Sequence, residues 1–65
     1  MTEGEIRERI AGLQAYVESE ERSIAQTIKT YGTGVRPSWV SADIAIDQGY
    51  VDRAKAEIAE LQAKL

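Results

Sequence analysis

The sequence predicts an all-α protein, an antiparallel two-helix hairpin that assembles with copies of itself into a helical bundle. Three observations lead there. Apolar residues recur at heptad spacing from Ile6 to Tyr31, a second apolar seam runs from Ile44 to Leu65, and a break containing glycine and proline separates the two. The 65 residues make one domain, 1–65. Helix 1 is expected over about 3–31, the loop over 32–37 and helix 2 over about 39–64.

Helix 1 carries its start signal in the first six residues. Thr2 and Glu5 have the spacing of a capping box, and Met1 and Ile6 fall at the positions of a hydrophobic staple. These signals draw on Met1 itself, so the chain is expected to begin where the protein begins. Ile6, Ile10, Leu13, Val17, Ile24 and Tyr31 then form the seam, which Ile28 widens. Glu3–Arg7, Glu5–Arg9 and Glu18–Arg22 are i,i+4 pairs in the favourable orientation, each adding about 0.2–0.5 kcal/mol. No proline interrupts the run, so the helix should reach about 43 Å.

Gly32 suits a left-handed C-cap, and Pro37 keeps Arg36 out of the helical region. Ser38 or Ser41 is placed to cap helix 2, with Asp43 near its positive end. Ile44, Val51, Ala54, Ile58, Leu61 and Leu65 make its seam. Ala42, Gly49, Ala56 and Ala63 recur every seven residues beside it. That stripe reads as an oligomer interface, because small residues admit a neighbouring helix, or simply as helix-favouring alanine. Gly49 costs roughly 1 kcal/mol relative to alanine in mid-helix, which points to something packed against it.

Composition removes several function classes. Without cysteine or histidine the chain has no disulfide, no thiolate metal site, no usual zinc ligand and no usual general base. Serine and threonine nucleophiles need an activating base, so no enzyme, catalytic residue, cofactor or metal is expected. Asp43 and Asp47, a like-charged i,i+4 pair, read as a solvated face. The net charge of −3 and pI near 4.8 argue against DNA or RNA as a partner. No apolar run approaches the roughly 18 residues that cross a bilayer, and the acidic start lacks a secretory apolar region. A cytoplasmic protein is expected. A chain this short gains only about 3–5 kcal/mol from one core, which makes a homo-oligomer the expected state.

If the hairpin turns near residues 34 and 35, facing residues have numbers adding to about 70. Ile6, Ile10, Leu13 and Val17 then meet Ala54, Ile58, Leu61 and Leu65. Toward the loop, Glu20, Thr27 and Asp47 occupy positions that call for apolar residues. An unpaired polar group in a core costs about 1–3 kcal/mol, so these three pair with each other, specify the oligomer or line a wet cavity. Beside them stand Tyr31, Thr33, Arg36, Trp39 and Ser41, with Ser38 next to Trp39. Arg36 could grip a phosphate bidentately, the start of helix 2 could add N–H donors, and Trp39 or Tyr31 could stack on a base. Alternatively, Gly32 and Gly34 only make the turn while Tyr31 and Trp39 plug the end of the bundle. Gly-Thr-Gly lacks the spacing and lysine of a P-loop, and Tyr16 and Tyr50 read as interface filling.

The segment Thr30-Tyr31-Gly32-Thr33-Gly34-Val35-Arg36-Pro37-Ser38-Trp39-Val40, set between two such helices, resembles small phage-encoded hairpin proteins. It is similar in architecture to the anti-defence sponges that phages use against CBASS and Thoeris immunity. That resemblance implies a sequestered nucleotide second messenger, a cyclic nucleotide or an ADP-ribose-type ligand, held between protomers. The leading expectation is therefore a non-enzymatic, homo-oligomeric coiled-coil-like hairpin with nucleotide binding near its loop. The alternative is a small helical interaction or inhibitor module that docks onto a protein partner, or a purely structural assembly unit.

Overall fold

The computed structural model describes residues 1–65 and contains two helices and no strand. Helix α1 spans Glu3–Tyr31, helix α2 spans Ser38–Gln62, and residues 32–37 join them. They fold back on each other as an antiparallel hairpin 48 Å long and 14 by 13 Å across.

Local chemistry sets both ends of α1. The Glu5 backbone N–H donates to Thr2 Oγ1 at 3.1 Å, and the Thr2 N–H donates to Glu5 Oε1 at 3.2 Å. This is the expected capping box, and it satisfies two donors that a helix start leaves free. Met1 stays exposed and outside the core. At the other end the Gly32 N–H donates to the Ile28 carbonyl at 2.7 Å. Gly32 has φ +77°, where a side chain would be strained.

Helix α2 begins one residue earlier than expected and ends two residues sooner. Its N-cap is Pro37, with no side-chain cap bond; the Pro37 carbonyl accepts from the Val40 N–H at 3.0 Å. Neither expected serine caps the helix. Ser38 is already its first residue, and the Ser41 hydroxyl accepts from Arg36 instead. Asp43 lies beyond the first turn, which contains no acidic residue. After Gln62 the Lys64 and Leu65 N–H groups bond three residues back, and this tighter winding leaves Leu65 half exposed, off the seam it was expected to extend.

The seam itself is as expected over most of its length. Ile6, Ile10, Leu13, Val17 and Ile24 of α1 pack with Val51, Ala54 and Leu61 of α2 in one cluster, flanked by Ile28, Ile44 and Ile58. Val40 is fully buried at the loop end, outside that cluster.

Charged pairs differ from the sequence expectation in two of three cases. Arg7 and Glu3 pair at 2.8 Å as foreseen. Glu5 is engaged in the cap, and Arg9 reaches across the hairpin instead, donating to both oxygens of Glu57 at 2.9 and 3.4 Å. Arg22 donates to the Glu18 backbone carbonyl, not to its carboxylate. A second cross-hairpin pair joins Lys55 Nζ to Glu21 at 3.1 Å. Exposed pairs of this kind contribute at most about 1 kcal/mol each, but their placement holds one helix in register on the other.

Two carboxyls record these contacts. Hydrogen bonds with the Thr2 backbone and side chain hold Glu5 below its ordinary value of 4.5, and the Arg9 hydrogen bond does the same for Glu57. A carboxyl whose pKa is lowered by folding adds stability above its unfolded pKa and loses it as pH falls through the folded one. Thermal stability should therefore stay level from pH 7 to 5 and fall below pH 4.5. Thr2→Ala should cost about 1 kcal/mol and reduce that acid dependence, as read by melting curves across the pH range.

Candidate functional site

The loop end brings together four of the five residues singled out for ligand binding. Tyr31 ends α1, Trp39 and Ser41 lie in the first turn of α2, and Arg36 stands between them. The Arg36 Nη1 donates to the Gly32 carbonyl at 2.6 Å, and its Nε donates to Ser41 Oγ at 3.1 Å. The guanidinium thus ties the C-cap of α1 to the first turn of α2. Being cationic, it also suits the negative end of α1. Tyr31 meets Trp39 edge-on, ring centroids 5.4 Å apart and planes at 80°, a favourable aromatic geometry. Thr33 is exposed in the loop and makes no hydrogen bond through its side chain.

This arrangement can do two things chemically. It closes the open end of the hairpin with two rings and a clasp, and it leaves Nη2 of Arg36 without a partner. A bidentate grip on phosphate through Nε and Nη2 would require the Ser41 bond to break. Tyr31, placed on the apolar seam by its spacing, is diverted from it by this ring contact and stays partly exposed.

The polar half of the seam resolves into separate solutions. Thr27 Oγ1 donates to the Ser23 carbonyl at 3.0 Å, within its own helix. Glu20 and Asp47 are half-buried near Tyr16 and Tyr50. Partial desolvation, then the charges of Glu20, Tyr50 and Asp47, push the Tyr16 phenol above its ordinary value. Asp43 is exposed and Asp47, one turn on, is half-buried. No buried side-chain polar atom lacks a partner.

The small-residue stripe lies outside the hairpin. At 100° per residue, Gly49 falls on the side of α2 opposite Val40, Val51 and Ala54, and Ala42, Ala56 and Ala63 are exposed. A Cβ built on Gly49 would meet nothing within 4 Å. Within this chain, nothing packs against the position expected to be covered at Gly49.

Sequence reasoning missed the Arg36 clasp and both cross-hairpin ion pairs. The pairs were within reach, since Arg9 with Glu57 and Glu21 with Lys55 are opposite charges near the facing register. No helix is long and apolar enough to cross a membrane. Comparison with known protein families, with curated proteins and with solved structures finds no match to this chain.

Arg36→Ala removes two hydrogen bonds, so it should lower stability by about 1–2 kcal/mol with no ligand present. A denaturant midpoint equal to wild type would show that the clasp does not hold in solution.

Proposed function

We propose that this protein is a non-enzymatic, self-associating helical hairpin, an interaction protein whose outer surface is completed by other copies of the chain. One observation carries the reading. The chain exposes 4694 Å², whereas a compact monomer of 7.2 kDa is expected to expose about 4,100 Å². The excess of about 600 Å² approaches what one partner covers in a standard protein interface, about 800 Å². It is not spread over polar side chains alone: Trp39 is 54% exposed, Ile46 55% and Tyr50 48%. Aromatic residues are the anchors that interfaces favour. A chain of this kind, placed in the cytoplasm, acts by binding.

The second reading is a phage-type sponge for a nucleotide second messenger, seated at the loop. Its support is the Arg36 guanidinium, fixed at the loop end that also holds the Tyr31–Trp39 pair, with Nη2 uncommitted. It ranks below the first because that arginine is already engaged and because an enclosed site needs walls from a second hairpin. Docking onto an unrelated protein partner uses the same exposed surface and is distinguished by the mass of the purified protein.

Light scattering at micromolar concentration should give a multiple of the chain mass, and the melting temperature should rise with protein concentration. A monomer with full helicity would overturn the reading. Calorimetric titration with cyclic dinucleotides, cyclic trinucleotides and ADP-ribose derivatives tests the sponge; no heat from any of them removes it and leaves self-association standing.

A further inference from the structure

The face of α2 turned away from α1 carries Ala42, Ile46, Gly49, Arg53 and Ala56 at three- and four-residue steps, the spacing of a second helix-packing seam. Gly49 sits in its middle. Its backbone is not in the left-handed region, and nothing in the chain approaches its missing Cβ. Neither conformation nor internal packing therefore explains a residue that costs roughly 1 kcal/mol in a helix. Above it lies an outward-opening depression of about 250 Å³, lined by Ala45, Ile46, Gly49, Tyr50 and Arg53. A glycine under an open depression admits the close approach of another helix.

Three observations select which helix. The surplus exposed area approaches one side of a small dimer interface, and this face holds Ile46, with Trp39 and Tyr50 at its edge. The second observation is electrostatic. The start of α2 has no side-chain cap and no acidic residue in its first turn, and the Ser38 and Trp39 N–H groups have no acceptor. The third lies at the far end of the same face, where Glu60 is exposed and makes no ion pair. If two α2 helices cross antiparallel at Gly49, Ala42 of one falls opposite Ala56 of the other, and Ser38 falls opposite Glu60. The carboxylate of each copy then meets the free N–H groups at the positive end of the other. The face is self-complementary about its centre, which is the condition for a two-fold interface.

We propose that the outer face of α2 docks on the same face of a second copy, antiparallel and crossing at Gly49, with Glu60 of each chain capping the start of α2 in the other. This rests on the self-association reading and adds its surface, symmetry and register.

The chain contains no cysteine, so Gly49→Cys introduces a single thiol, and Glu8→Cys on the exposed side of α1 serves as control. Mild oxidation should link Gly49→Cys into covalent dimers and leave the control unlinked, because a disulfide needs Cα atoms within roughly 7 Å. Gly49→Leu should be monomeric where wild type associates while keeping full helicity. Glu60→Gln should weaken association about tenfold by removing a charge-assisted hydrogen bond. If wild type associates but Gly49→Cys does not link and Gly49→Leu keeps the oligomer mass, the proposed surface is wrong and another face mediates self-association. If wild type is monomeric at every concentration, self-association itself fails and this interface fails with it.

Discussion

Two helices share one line of contact, and every other feature of this chain is arranged around that limit. A hairpin can cover only one stripe of each helix, so the seam from Ile6 to Ile24 on α1 and from Val51 to Leu61 on α2, with Val40 at the loop end, must supply the whole interior. Only nine residues are buried in consequence. A core this thin leaves little margin for sliding, and the two cross-hairpin ion pairs act on that weakness. Arg9 with Glu57 lies toward the termini and Glu21 with Lys55 nearer the middle. Each adds little energy, but a shift of one helix along the other breaks both.

The same limit accounts for the uneven character of the seam. Toward the termini it is aliphatic throughout. Toward the loop it admits Glu20, Thr27 and Asp47, and these are tolerated because the hairpin is too narrow to bury them fully. Their half-exposed positions let water complete what the protein does not, which keeps the penalty for a buried polar group from applying. The loop end then needs holding by other means, and the Tyr31–Trp39 contact and the Arg36 clasp provide them.

What the sequence made legible follows from how local each determinant is. The limits of α1 could be read in full, because Thr2, Glu5 and Gly32 act on backbone groups within four residues of themselves. The start of α2 could not. Serine is a good cap by propensity, but the approach of Arg36 recruits Ser41, and Pro37 fixes the entry. Arg9 shows the same conflict: the i,i+4 rule assigns it to Glu5, while the folded chain engages Glu5 in the cap and presents Glu57 across the seam. Val40 was within reach, since it stands four residues before Ile44 and so extends the α2 seam toward the loop. At the candidate site the residue types were readable and their engagement was not, because hydrogen-bond partners depend on the path of the loop.

The Arg36 clasp also bears on how the hairpin opens. One guanidinium bonds the Gly32 carbonyl at the end of α1 and the Ser41 hydroxyl near the start of α2. Helix ends ordinarily fray independently, each within its own turn. Here fraying of either end pulls on the other through a shared side chain, so the last turn of α1 and the first turn of α2 form one cooperative opening unit. The amide protons bonded within that unit, those of the last turn of α1 and of Val40, are expected to become exchangeable in the same opening event.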